Sequence, residues 1–393
     1  MVRLAGGRWP YMPAIATTPV AASGSATGED AVVRAVAQAV AGVRSPGLVV
    51  FFPTAEIEDA GSQAADAAGV CPTAGMTVAA VLSEAGPLGS GCSAMAFDDA
   101  LPAGVGVSEH ASADPATAAL EATTSALANV PVDSAYRLVM LFSDTRSGDM
   151  ADVVAGAYRA AGPLLPLAGG GAGGDEPRQF SDGRALRDSV VAVAIGSPRP
   201  IGLGVSDGCS PVGVPSIVTR ANGRVLLELD GRPAAQVYLE KLGAGARQMD
   251  DSELARFAVL HPLAQPELSG DRRLRHVLGR TGDGGLHCAT TVPPHAAVEF
   301  TAQDPELVVR SSWDAVSNAL MPLGGEPASA AIVFDCAGRK RALSDDLGRE
   351  VDTLRSSFGK PLPMAGGYTH GEIGRARGAK GDRNHAVVVV AIG

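Results

Sequence analysis

Residues 138–146 read Leu-Val-Met-Leu-Phe-Ser-Asp-Thr-Arg, and residues 332–339 read Ile-Val-Phe-Asp-Cys-Ala-Gly-Arg. Each is a short apolar run that closes on phenylalanine and turns abruptly polar. That is the pattern of a buried strand whose carboxyl end reaches a rim. A third run, Leu48 to Phe52, closes the same way. Aligning Phe52, Phe142 and Phe334 brings the flanking segments into step, so the chain contains three copies of one unit: helix, apolar strand, helix, glycine-rich loop, strand.

In the first copy Val32, Val33, Val36, Val40 and Val43 mark a helical stripe, and a second helix from about Thr54 leads to a loop around Gly69 to Gly75. The second copy opens near Pro115 and shows Met150, Val153, Val154, Ala157 and Ala161 on one helical face. In the third, Val309, Trp313, Val316 and Leu320 line the first helix, and Ser344 is a candidate N-cap for the helix carrying Leu347, Val351, Leu354 and Phe358. The loops of copies two and three, Ala168-Gly-Gly-Gly-Ala-Gly-Gly-Asp175 and Ala365-Gly-Gly-Tyr-Thr-His-Gly-Glu372, align two glycine pairs and a terminal acid. In copy one, Met76 stands where the acid belongs.

The expected fold is α/β and two-domain, with the repeated units forming mixed sheets flanked by helices. The expected divisions are a flexible tail over residues 1–28, an N-terminal module over 29–215 and a C-terminal module over 216–393. Trp9, Pro10 and Tyr11 are expected to dock the tail on the body, and Val225 to Leu229, Asp230-Gly231 and Pro233 read as strand, turn and helix start.

Composition excludes several classes. The net charge of −10 argues against nucleic acid and anionic membranes as partners. No apolar run approaches the ~20 residues of a membrane span, and the N-terminus lacks a secretory pattern. Five scattered cysteines fit a reducing compartment, so a cytoplasmic location is expected.

In open α/β sheets, ligands bind beyond the carboxyl ends of strands. The candidate ligand-binding residues are therefore Ser143, Asp144, Arg146, Gly170, Asp175, Cys336, Arg339, Gly366, Gly367, Tyr368, Thr369 and Glu372. Arg339 or Arg146 could hold a carboxylate in bidentate fashion, and Glu372 or Asp175 an amine, a set suited to a zwitterion such as an amino acid. The plainer alternative is that the glycines only permit close packing and that the charged residues pair with each other. No Lys-Ser/Thr follows the glycines of residues 169–174, which argues against a nucleotide phosphate loop. His276, His287, Cys288 and His295 match no standard zinc spacing. Cys336 with His370 or His385 is a candidate thiol and base, although a cysteine after a strand is more often a packed residue. No metal, cofactor or catalytic residue is expected.

At these residues the chain resembles the FIST family, named for F-box and intracellular signal transduction proteins. The resemblance rests on residues 138–144, 169–175, 179–184 and 225–234, and most specifically on residues 334–339 and 367–374. It implies a ligand-sensing role, with an amino acid or related carboxylate as ligand and a separate signalling protein as partner. Met76 and the displaced Cys71 depart from the family pattern, which implies that the first copy contributes no polar ligand contact. Two other readings stay open: a hydrolase or transferase using Cys336 at the strand-end rim, and an interaction scaffold without a ligand.

Overall fold

The three phenylalanine-terminated runs become the strands Pro46–Pro53, Tyr136–Ser143 and Ala330–Cys336 in a computed structural model that describes residues 19–245, 249–267, 272–376 and 380–393. Trp9, Pro10 and Tyr11 lie outside the described residues. Among the described residues the strands form three six-stranded sheets and one eight-stranded sheet.

Each phenylalanine strand lies inside its own six-stranded sheet. On one side it pairs in parallel with a glycine-containing strand: Thr73–Met76, Leu167–Gly171 or Met364–Thr369. On the other side it pairs antiparallel with Cys92–Asp98, Ser189–Ser197 or Val387–Ile392. An edge strand completes that side: Ala21–Ala26, Ala103–Glu109 or Ile201–Ser206. A helix pair packs on the outer face of each sheet. The pairs are Ala31–Ala41 with Ala60–Ala68, Pro115–Leu127 with Met150–Ala161, and Pro305–Leu320 with Leu347–Ser357. The inner faces of all three sheets share one apolar core.

At its centre the three aligned phenylalanines meet. Phe52 stands edge-on to Phe142 at 5.9 Å and to Phe334 at 5.8 Å, and Phe142 and Phe334 are 6.2 Å apart. The units therefore surround a pseudo-threefold axis. The hairpin after each glycine strand crosses to a neighbouring unit. Val81–Ser83 pairs with the glycine strand of unit three, Gln179–Ser181 with that of unit one, and Glu372–Arg375 with that of unit two.

Several expectations are corrected. The glycine-rich segments are strands for most of their length, because glycine there permits close approach of the neighbouring strand. A Cβ on Gly169 (φ +130°) would lie 2.0 Å from the Leu141 carbonyl oxygen, and one on Gly366 (φ +154°) would lie 1.9 Å from that of Val333. The register also replaces the expected alignment of acids. Gly75 faces Phe180, Gly169 faces Ile373 and Gly366 faces Leu82, so Glu372 corresponds to Gln179 and Val81, not to Asp175. Unit two has a longer connection after its glycine strand, and this puts Asp175 on the loop.

Residues Ala21–Ala26, read as tail, form an edge strand because their small side chains let the first helix pack closely. Trp313 is half exposed; the helix buries Val308, Ser312, Ala315 and Ala319 instead. Ser344 caps nothing, since the helix Ala337–Leu343 ends there with Ser344 at φ +48°.

The eight-stranded sheet occupies residues 209–303, between the edge strand and first helix of unit three. Its own core is built around Tyr238, Phe300, Val218 and Leu286. The boundary expected near residue 215 falls inside its long strand Cys209–Asn222. No helix among the described residues is long and apolar enough to cross a membrane.

The axial contact and the glycine strands are the sensitive points. Phe142→Ala is expected to cost about 3–5 kcal/mol. Gly366→Ala should cost roughly 3 kcal/mol or more, through both its φ and the clash with Val333. Denaturant titration of each variant measures both losses. A change below about 1 kcal/mol at either position would contradict the packing described.

Candidate functional site

At one end of the axis, segments following the phenylalanine strands of units one and three and the loops after the glycine strands line an open rim cavity of about 590 Å³. This is within the size range of small-molecule sites. Unit one contributes Ala55, Glu56, Glu58 and Val78. Unit two contributes Asp175, Glu176 and Arg178, and unit three Lys340, Arg341 and His370.

Some of these charges are already engaged. The Arg178 guanidinium donates to the Ala55 carbonyl at 2.9 Å and lies 3.8 Å from Glu176, which is paired with Arg187 at 2.7 Å. Arg146 donates to the main-chain carbonyl of Asp175. Among the described residues, the side chains of Asp175, Lys340 and Arg341 make no hydrogen bond or ion pair. Glu58 of unit one is likewise unpaired, so among the described residues the cavity presents two free carboxylates and two free cations, drawn from all three units. His370 stands beside them. Burial, with Arg341 and Arg146 nearby, pushes its pKa down and keeps the ring neutral near pH 7.

Most of the candidate residues read from the sequence lie beneath this rim. Arg339 is completely buried and all five of its N–H donors are occupied. Nε donates to Asp335 at 2.8 Å, and Nη1 donates to the Asp207 carbonyl and to Ser311 Oγ. Nη2 reaches Glu350 at 2.6 Å, together with the Val308 carbonyl and Ser312. Tyr368 donates to the other Glu350 oxygen at 2.8 Å. Arg339 is therefore the shared counter-ion of two buried carboxyl groups and has no donor left for a ligand anion. Ser143 donates to Met150 Sδ, and the Asp144 carboxylate accepts from the backbone N–H groups of Arg146 and Asp188. Gly366 and Gly367 are strand residues. Gly170 packs against Thr369.

Cys336, Thr369 and Glu372 do come together, but in a closed cluster. The Glu372 carboxyl accepts from the Ala386 N–H at 3.3 Å and lies 3.0 Å from the Thr369 hydroxyl, which is also 3.1 Å from the Asp335 carbonyl. Thr369 has a single proton to give. If it goes to Asp335, Glu372 must donate, which requires a neutral carboxyl. Burial pushes Glu372 the same way, up to about 8, against smaller opposing effects from these hydrogen bonds and from Arg339.

Cys336 caps its helix by accepting from the Gly338 N–H, and burial beside Glu372 raises its thiol pKa well above the usual range. A buried, protonated thiol is a poor nucleophile. His385, the candidate base, is also buried and neutral; its Nε2 lies 2.8 Å from His276 Nδ1. Cys288, read as a zinc candidate, packs in the apolar core of the inserted domain.

Two family matches cover successive parts of the chain, and the break between them falls inside the inserted sheet. The FIST N domain matches residues 47–232 and the FIST C domain residues 234–375. The chain belongs to the FIST family. The FIST N span takes in most of units one and two and the opening strands of the inserted sheet; the FIST C span takes in the remainder of that sheet and most of unit three. The chain is similar to uncharacterized proteins of Mycobacterium tuberculosis, 30% identical over 54% of this chain and 55% of theirs, and of Mycobacterium bovis, 31% identical over 54% and 55%. An uncharacterized protein of Methanocaldococcus jannaschii is 31% identical over 48% of this chain and 38% of its own. The FIST chain described here thus spans about half the length of the mycobacterial relatives it matches.

The rim residues that sequence reasoning missed are Lys340, Arg341, Arg178 and the glutamates of unit one. Lys340 and Arg341 directly follow Arg339, so the signal was local. Helix geometry turns Arg339 inward and its two neighbours toward the rim.

Removing Arg339 should unfold more than it unbinds. Arg339→Met leaves Asp335 and Glu350 buried without their counter-ion, an expected loss of about 3–5 kcal/mol by denaturant titration. For Glu372, a folded pKa of about 8 against an ordinary value of 4.5 means that its contribution to stability is full below pH 4.5. That contribution is lost as pH rises through 8. Glu372→Gln, the residue unit two carries at this position, should flatten the decline in melting temperature over that window. A decline identical to that of the parent protein would show that Glu372 is ionised when folded.

Proposed function

We propose that this FIST protein is a sensor that binds a small zwitterion, an amino acid or related carboxylate, in the axial rim cavity. The observation that carries the reading is the set of unpaired charges of both signs around one ligand-sized cavity. Arg341, supported by Lys340, takes the carboxylate, and Asp175 takes the amine. The neutral His370 offers a hydrogen bond that does not compete for charge. Glu372 and Arg339 hold the floor rather than the ligand. Because all three units line the cavity, an occupant bridges groups on separate sheets and favours one arrangement of them. The signal is passed to a separate protein partner inside the cell.

The protonated Cys336 weighs against thiol chemistry at this rim. The cavity's free charges favour a ligand site over a surface used only for protein docking.

A thermal-shift and calorimetric screen of the full chain against the amino acids and dicarboxylates tests the proposal. Binding at one hundred times Kd is expected to stabilise the protein by about 2.7 kcal/mol. The shift should disappear in both Arg341→Gln and Asp175→Asn, surface-facing changes that leave the fold intact. A shift of undiminished size in both variants would remove the ligand from this cavity.

A further inference from the structure

A second and larger cavity, about 1360 Å³, shares no lining residue with the rim. It opens where the inserted domain meets the ring. One wall is the edge strand Ile201–Ser206 and the helix Pro305–Leu320. The facing wall is the insert hairpin Leu263–Pro266 with Arg272–Arg275, and the exchanged hairpin of unit three closes the base.

Its electrostatics run against those of the whole molecule. In a chain of net charge −10, the described lining residues of this cleft carry five cations and three carboxylates. The disposition of the guanidinium groups matters more than the count. Arg383 donates to the main-chain carbonyls of Arg272 at 2.9 Å and Gly374 at 3.4 Å, and has no carboxylate partner among the described residues. Arg272 donates to the Cys209 carbonyl at 2.9 Å and forms a longer ion pair with Asp207 at 3.7 Å. Arg310 is exposed and makes no ion pair among the described residues, although Asp314 follows one helical turn later. Carbonyl groups fix both Arg272 and Arg383 in place, and the charge of Arg383 is left without a counter-ion among the described residues. The side-chain amides of Asn318 and Asn384 add neutral hydrogen-bonding groups to the same lining.

The wall bearing Arg272 is itself firmly placed. Behind it Arg273 and Arg275 grip the buried Asp382 of the exchanged hairpin at 2.7 and 3.1 Å. The cationic arc therefore spans three separate segments held in fixed relation.

We propose that this cleft is a second ligand site, one that takes a compact polyanion bearing phosphate or carboxylate groups. Bidentate contacts from Arg272 and Arg383 hold one anionic group, and Arg310 closes on another from the helix. Positive potential concentrated between low-dielectric walls raises the local concentration of such an anion. An occupant ties the inserted domain to the ring through residues of both.

Isothermal titration of the full chain with pyrophosphate and, separately, with citrate at low and moderate salt tests the proposal. Saturable one-to-one binding by at least one of them is expected, weakened tenfold or more by Arg310→Gln and by Arg383→Gln and unchanged by Arg341→Gln. Binding of pyrophosphate alone would assign a phosphate ligand, and of citrate alone a carboxylate. Arg310 is exposed, so its substitution leaves the fold intact even if Arg383→Gln does not. Three results would overturn the proposal: no saturable binding of either anion, binding indifferent to Arg310→Gln, or binding lost only in Arg341→Gln. The last would place the anion at the rim. Failure of the amino-acid screen leaves this test untouched, since the two cavities share no residue.

Discussion

Contact among the rings of Phe52, Phe142 and Phe334, edge-on at Phe52, fixes where three sheets meet, and the rest of the architecture follows from that constraint. Each ring ends a buried strand, so joining the rings brings three strand ends to one place and creates the rim. Aromatic pairs in this geometry contribute about 0.5–1.5 kcal/mol beyond the area they bury. The same closeness recurs outside the axis and accounts for the unusual composition. Glycines on the edge strands lie directly under the helix backbones: Gly106 beneath Ala122, Gly204 beneath Ala315 and Gly24 beneath Ala35. A Cβ at any of the three would come within 2.1 Å of a helix carbonyl oxygen. Alanine-rich helices on glycine-bearing strands leave little space for aromatic residues away from the axis, which is consistent with an aromatic content of 4%.

Beneath the rim, polarity is retained in the core at considerable desolvation cost. Arg339, Asp335, Glu350 and Tyr368 form a buried unit in which one guanidinium faces two carboxyl groups; burial and the nearby Glu350 raise the pKa of Asp335, which favours its neutral form and so limits the net charge. Such a unit adds little stability over an apolar packing, yet it has a narrow set of acceptable geometries. Here it locks the helix Ala337–Leu343, which carries Lys340 and Arg341, to the helices on either side. The same guanidinium reaches Ser311, a lining residue of the larger cleft. One buried arginine thus braces the supports of both cavities.

Sequence periodicity made the three units and their phenylalanine registration legible, because a buried strand ending at a rim has a local signature. Glycine runs carry little strand propensity, and their role appears only when the neighbouring carbonyl is in place, so Leu167–Gly171 and Met364–Thr369 read as loops. The exchanged hairpins were invisible for a related reason: Leu82 meets Gly366 across most of the chain, and no local pattern encodes that pairing. At the site, the polar strand ends pointed to a rim where loops converge. The orientation of individual side chains was not legible. Arg339 and Arg341 are chemically identical and two residues apart, yet one is a structural counter-ion and the other faces the cavity.

The exchange of hairpins has a bearing on how such a chain arose. A lone unit lacks the strand that covers its own glycine edge, because its hairpin is shaped for a neighbour's sheet. Three separate copies would supply one another in rotation and close the same circle. One covalent chain achieves that closure with three units of unequal sequence. Only the third copy gained an inserted domain and an acid at the position of Glu372, where its sisters carry Gln179 and Val81. The three walls of the rim cavity are chemically different as a result.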